Sequence, residues 1–253
     1  MNEQYYSPQK FSILPPVVKN LLIINILFFL ATIAFDNLWH IDLSRYLGLH
    51  YFQSDLFYPH QLITYMFMHG GFGHIFFNMF ALWMFGNTIE NYWGGGKFLI
   101  YYLLTGIGAG LTQELVCAIR LHDLASQMTP EMIDIIKNQG LGLLEQHKNY
   151  TDKLMGTYNI LLNSVTVGAS GSVYGILLAF GMTFPNSLVY IYFLFPIKAK
   201  WFVIIFGALE LFYGISGTSD GVAHFAHLGG MIFGLILILL WRKKDRNQYY
   251  QQY

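Results

Sequence analysis

The chain has 253 residues, of which 55% are hydrophobic, 18% aromatic and only 11% charged, whereas a soluble domain carries about 25% charged residues. Its 14 basic and 14 acidic side chains are too few to cover a water-soluble fold, and the mean hydropathy of +0.42 places the chain in a lipid bilayer. A formal net charge of zero argues against a nucleic-acid partner, which needs a basic face, and the single cysteine, Cys117, excludes an intramolecular disulfide or a multi-cysteine metal site.

A helix crosses the bilayer with about 20 largely apolar residues, and the charge-free runs predict an all-α membrane protein with six such helices. No short apolar region followed by a small-residue cleavage site opens the chain, so no removable signal peptide is expected. A short N-terminal segment, 1–16, precedes the membrane domain, 17–241, and a polar tail, 242–253, follows it. The first helix is predicted at 17–36. The stretch 37–72 is rich in aromatics and histidines, and Phe52, Phe57, Tyr58 and Phe72 suggest a piece lying in the interface. The second helix, 73–91, carries His74 and Asn78 at i and i+4, hence on one face. The third, 97–116, leads into a polar external insertion, 114–162, in which Thr129-Pro130-Glu131 reads as a helix start and Met132, Ile133, Ile135 and Ile136 as an apolar stripe. Cys117 has no basic neighbour to make a thiolate and reads as packing.

The fourth helix, 170–184, is short for a span and is expected to begin below the surface, which only a protein-lined or watered cavity allows. It opens at Ser170, within Val167-Gly168-Ala169-Ser170-Gly171-Ser172. There the Ser170 backbone N–H is an orphan donor at the positive end of the helix dipole. Pro185-Asn186 and Pro196 then mark an interfacial connection. The fifth helix, 200–216, contains Glu210, which is expected to lie away from any site, and 210–222 is the expected cap. The sixth, 222–241, carries His227, with His224 one turn nearer the loop and expected to be solvated or bonded to loop backbone. Gly171/Gly175 and Gly230/Gly234 are each spaced Gly-x-x-x-Gly, which lets membrane helices approach closely. A tight contact between the fourth and sixth helices brings the Ser170 hydroxyl to the His227 imidazole, and the His74/Asn78 face adds donors, as acyl transfer requires. The plain alternatives are a serine bonded to its own helix carbonyl and histidines satisfied within the core. With both termini inside, that side holds nine bases against three acids and the other five against ten, Glu210 remaining within the fifth helix. This asymmetry predicts that both termini are cytoplasmic.

These residues resemble the rhomboid family of intramembrane serine proteases over 17–241, with 114–162 the poorly matched part. Gly168-Ala169-Ser170-Gly171 is similar to its Gly-x-Ser-Gly motif, which implies Ser170 as nucleophile. Ala226-His227-Leu228-Gly229-Gly230-Met231-Ile232-Phe233-Gly234 is similar to Ala-His-x-x-Gly-x-x-x-Gly, which implies His227 as general base. His74 and Asn78 match a His-x-x-x-Asn pair, implying oxyanion stabilisation. Gly86, Glu90 and Gly94 match a structural motif at the inner end of the second helix. Tyr174 matches a tyrosine that packs on the catalytic imidazole, and with Gly168 it is expected to meet substrate. Where many members carry Trp-Arg in the first external loop, this chain has Pro59-His60-Gln61.

The resemblance implies a serine endopeptidase of a bacterial cytoplasmic membrane, using a Ser170–His227 dyad without metal or other cofactor. Its expected partners are transmembrane protein substrates and the lipid bilayer, and its oligomeric state is left open. Two rivals stand beside it: a catalytically silent protein that binds transmembrane clients, and a metal site built from His69, His74, His224 and His227.

Overall fold

The computed structural model describes residues 11–191, 194–216 and 221–251. Predicted positions outside them include Asp220 and part of the expected cap. The chain is mostly helical. Helix α1 (Pro16–Trp39) begins with proline at its first turn, where a missing N–H costs nothing. No side chain of its own N-cap closes that end. Glu90 does so from a distance, accepting the Val17 N–H at 2.9 Å and the Val18 N–H at 2.7 Å. The helix ends at His40 in the left-handed region.

The stretch that follows is folded. It contains α2 (Leu43–Leu47), β1 (Leu49–His50), α3 (Gln61–Thr64) and a 3-10 turn, Tyr65–Phe67. Buried Gln61 ties it together: its amide donates to the Leu56 and Tyr46 carbonyls, and its oxygen accepts the His50 N–H. The loop is thus anchored through Gln61 without Trp-Arg.

Helices α4 (Phe72–Ala81) and α5 (Asn87–Trp93) are joined by a π-helical stretch, Leu82–Gly86, into one rod. Helix α6 (Gly95–Ala125) runs nine residues beyond its predicted end. Within the insertion, α7 (Pro130–Glu145) and α8 (Lys153–Asn163) start at Thr129 and Asp152, whose side chains accept the Met132 and Met155 N–H groups. The Thr129 start is the predicted one. These helices share a small core of Cys117, Leu121, Ile136, Tyr158 and Leu162 with the end of α6. Strand β2 (Val165–Thr166) then pairs antiparallel with β1, Leu49 facing Thr166 and His50 facing Val165.

Helix α9 (Ser170–Thr183) is the centre of the molecule, and Gly171, Ser172, Val173, Gly175, Ile176, Leu177, Ala179 and Gly181 are all buried. At about 1.5 Å per residue its fourteen residues fall well short of a ~30 Å hydrocarbon core. It packs against α6, the α4–α5 rod, α10 (Ala199–Ser216) and α11 (His224–Gln251). Between α9 and α10, at the predicted interfacial connection, β3 (Leu188–Ile191) and β4 (Phe195–Lys198) form an antiparallel hairpin. The predicted tail after 241 is a continuation of α11.

Among the described residues, four helices are long and apolar enough to cross a membrane: α1, α6, α10, and α11 over His224–Lys243. The other two predicted spans take different forms. Helix α9 is too short to qualify alone, and the second is interrupted by its π-helical stretch.

Candidate active site

Four helices and one loop converge at the N-terminus of α9. Gly168 donates its N–H to the Tyr65 carbonyl at 2.9 Å and has φ +130°, a conformation that side chains strain to adopt. A Cβ there would lie 2.7 Å from His74 Nε2 and 3.5 Å from Ser170 Oγ. Glycine at 168 therefore sets the turn and leaves room for His74 beside Ser170. As the first residue of α9, Ser170 has a backbone N–H without an intrahelical acceptor. Its neighbour Ser172 faces the other way and donates to the Tyr102 carbonyl at 2.8 Å.

His227 Nε2 lies 2.8 Å from Ser170 Oγ. The glycines explain how two helices come this close. A Cβ on Gly230 would overlap the Gly171 carbonyl, and one on Gly234 would strike the Tyr101 hydroxyl and lie 3.5 Å from Gly175 Cα. Tyr101 donates that hydroxyl to the Gly175 carbonyl at 2.8 Å, closing the seam from α6. Tyr174, one turn after Ser170, stacks on the His227 ring with centroids 4.3 Å apart and planes 8° from parallel.

On α4, Gly70 N–H approaches His74 Nδ1 at 3.4 Å. A nitrogen that accepts leaves the ring proton on Nε2, the atom nearest Gly168. Asn78, one turn on, is buried, and its amide nitrogen has no hydrogen-bond partner among the described residues. Gly86, Glu90 and Gly94 lie farther along the rod and serve packing: a Cβ on Gly86 would press on Phe98, Leu82 and Val18. Glu90 holds α1, and Gly94 turns the chain into α6 at φ +82°.

Two expectations fail at α10. Glu210 does not lie away from the site, and His224 is neither solvated nor held by loop backbone alone. Glu210 is buried, with Oε2 2.7 Å from His224 Nδ1 and 3.0 Å from His227 Nδ1, and its Oε1 accepts the Tyr174 hydroxyl. The His227 Nδ1 contact is close but out of line, so that nitrogen has no hydrogen-bond partner among the described residues. The helical ends of α10 and α11 are brought together by Gly214, where a Cβ would lie 3.0 Å from Phe225 and 3.4 Å from His224 Cβ.

Glu210, His224 and His227 each present a ligand atom within 4.8 Å of the others, a donor set that divalent metals accept. The metal cluster considered from the sequence is therefore regrouped. His69 and His74 are not part of it; their rings meet each other edge to face at 5.1 Å.

A family model described as Rhomboid domain matches residues 57–120 and 143–244, leaving out most of α7. Rhomboid-like protein 11, chloroplastic, of Arabidopsis thaliana is 28% identical over 221 residues, 80% of this chain and 63% of that protein. RHOMBOID-like protein 12, mitochondrial, of the same plant is 27% identical over 190 residues, 75% of this chain and 48% of that protein. Rhomboid protease GluP of Bacillus subtilis is 43% identical over 47 residues, which are 19% of this chain and 9% of that one. The chain thus spans between about half and just under two thirds of the length of the two plant relatives.

Proposed function

Because the chain belongs to the rhomboid family, we propose that this integral membrane protein is a serine endopeptidase that cuts other membrane proteins in or near their transmembrane segments. The observation that carries this reading is the 2.8 Å approach of His227 Nε2 to Ser170 Oγ at the start of a short, buried helix.

Neutral His227 takes the Ser170 proton on Nε2 as Oγ attacks the scissile carbonyl carbon. The carbonyl π electrons move onto oxygen, which becomes the tetrahedral oxyanion. The Ser170 N–H, the His74 Nε2–H and the unpartnered Asn78 amide supply donors to that oxygen. His227 returns its proton to the leaving nitrogen as the C–N bond breaks, leaving an acyl-enzyme on Ser170. Water then repeats the sequence: His227 takes its proton, hydroxide adds to the ester carbon, and the Ser170 oxygen leaves reprotonated.

The six-span architecture belongs to the same proposal, with α1, the α4–α5 rod, α6, α9, α10 and α11 as the spans. Helix α9 reaches only part way, which a membrane tolerates only where protein or water surrounds the helix end, consistent with a site needing water at depth. The lysine and arginine asymmetry supports both termini on the cytoplasmic side, with the α7–α8 insertion outside. A bacterial cytoplasmic membrane is the proposed location, beside long matches to chloroplast and mitochondrial proteins and a local one to a Bacillus subtilis protein.

The test is labelling by a serine-reactive fluorophosphonate, together with cleavage of a panel of single-span segments in proteoliposomes, the cut sites being read by mass spectrometry. Ser170→Ala removes one oxygen and should abolish both signals while leaving the helical fold intact. A folded wild-type protein that neither labels nor cleaves would turn the reading toward a client-binding member of the family.

A further inference from the structure

We propose that Glu210 is a positioning residue for this reaction: it acts through His227, making Ser170, His227 and Glu210 a three-membered relay supplied by α9, α11 and α10. The inference rests on the proposed protease activity and deepens it.

The two nitrogens of His227 face two different partners. Nε2 meets the Ser170 hydroxyl at 2.8 Å and Nδ1 has Glu210 Oε2 at 3.0 Å. A base that must take the serine proton needs Nε2 bare, hence its own proton on Nδ1. A carboxylate beside Nδ1 selects that tautomer. When the serine proton arrives, the ring becomes a cation, and a fixed negative charge 3.0 Å from Nδ1 is there as it forms. The proton stays on Nδ1 throughout, and Glu210 orients and stabilises without taking it.

The carboxylate is itself held in place. Tyr174 donates its hydroxyl to Oε1, and His224 Nδ1 lies 2.7 Å from Oε2. The Tyr174 ring also stacks flat on His227. One tyrosine therefore fixes both the imidazole plane and the carboxylate that addresses its edge. The 3.0 Å contact of Nδ1 with Oε2 does not meet hydrogen-bond geometry here, and catalytic hydrogen bonds commonly tighten only in the Michaelis or transition-state complex.

An intramembrane carboxylate is costly and calls for a reason. Tying α10 to its neighbours is the plainer one, and it makes a different prediction. A tie needs hydrogen bonds, which glutamine can replace; a charge partner for a transient imidazolium needs the charge.

The deciding variants are Glu210→Gln and Glu210→Asp, assayed in proteoliposomes beside wild type and Ser170→Ala. Glu210→Gln should keep its helical content and bind substrate within a few-fold of wild type while kcat falls by about 10²–10⁴. Glu210→Asp, which restores the charge, should recover at least about tenfold of that loss. A folded Glu210→Gln protein with wild-type kcat would overturn the inference while leaving the Ser170 reading intact. A wild type with neither cleavage nor fluorophosphonate labelling would remove the reading itself, and this inference with it. If Glu210→Gln fails to fold, the wild-type protein decides alone. Its fluorophosphonate adduct should show a far-downfield His227 Nδ1–H proton by NMR, identified in 15N-histidine-labelled protein as the ring N–H that persists in His224→Gln, and absence of that proton overturns the relay. So does one equivalent of zinc copurifying on Glu210, His224 and His227, since a metal on Nδ1 leaves no place for the proton.

Discussion

Asn78 illustrates how a single residue separates folding from chemistry. Its amide nitrogen is buried without a partner among the described residues, and an unmade buried hydrogen bond typically costs about 1–3 kcal/mol. A donor kept at that cost contributes little to the resting fold and is available to an oxyanion. Asn78→Ala is therefore expected to lower kcat by roughly 10²–10³, about 2.7–4 kcal/mol of transition-state stabilisation, with little change in substrate affinity measured in a Ser170→Ala background. His74→Ala should behave alike. Weak binding with normal saturated turnover would instead make both residues structural or substrate-binding. The approach of Ser170 to His227 was legible because Gly-x-x-x-Gly pairs mark α9 and α11 for close contact, and the His74/Asn78 face because the two are four residues apart on one helix. Glu210 and His224 were misread because their partners depend on how α10 is rotated against α11. A signal for that rotation did exist. Gly207, Glu210 and Gly214 fall at i, i+3 and i+7, and both glycines pack on α11, against Met231 and Phe225. The small-residue stripe that seats α10 carries the carboxylate inward with it.

Between elements, the seam of α9 and α11 decides whether the site exists. Alanine ordinarily favours a helix over glycine by about 1 kcal/mol. At Gly230 the added methyl would overlap the Gly171 carbonyl, and overpacking of this kind costs about 1–3 kcal/mol, so the clash outweighs the propensity. Gly230→Ala should lower the melting temperature in detergent and reduce cleavage more steeply, since a ~1 Å displacement of His227 from Ser170 is worth about 10²-fold in rate. A stabilised and fully active alanine variant would mean that the two helices do not touch there. Glu90 predicts the opposite pattern. Its carboxylate accepts two N–H groups at the start of α1, a charge-assisted cap worth on the order of 1.5–3 kcal/mol per bond to a charged group. Glu90→Gln should therefore melt earlier yet keep wild-type kcat, measured below its transition. The helices themselves were legible as apolar runs, but the strands were not. Paired β1 and β2 are two residues each, too short to show a period. In the β3–β4 hairpin, Leu188–Ile191 and Phe195–Lys198 form a short, mostly apolar stretch that periodicity alone cannot tell from helix.

At the scale of the molecule, the α7–α8 insertion is physically continuous with the site. Its last helix runs into β2, β2 pairs with β1, and two residues later the chain reaches Gly168 and then Ser170. The insertion also touches the first loop through an Arg45–Glu145 ion pair whose partners are 42% and 48% exposed; such an exposed pair adds little stability but sets where the helices sit. The insertion's own core, around Ile136 and Tyr158, is separate from the main one, so it can be removed without opening the bundle. The family model omits 121–142, so most of α7 lies outside the family match while α8 lies within it. Replacing 122–155 with a short Gly/Ser linker keeps the end of α8 and the β1–β2 pairing, and should leave the Ser170 machinery active. What should change is access: the order in which a panel of transmembrane segments is cut, read as relative kcat/KM in one competition assay. An insertion that only decorates the surface gives the same order at every position, because loops tolerate replacement well. A uniform loss across all segments would instead trace to strain passed through β2 into Gly168, and fluorophosphonate labelling identifies that case, since it falls with a damaged nucleophile and is untouched by an altered path for substrate.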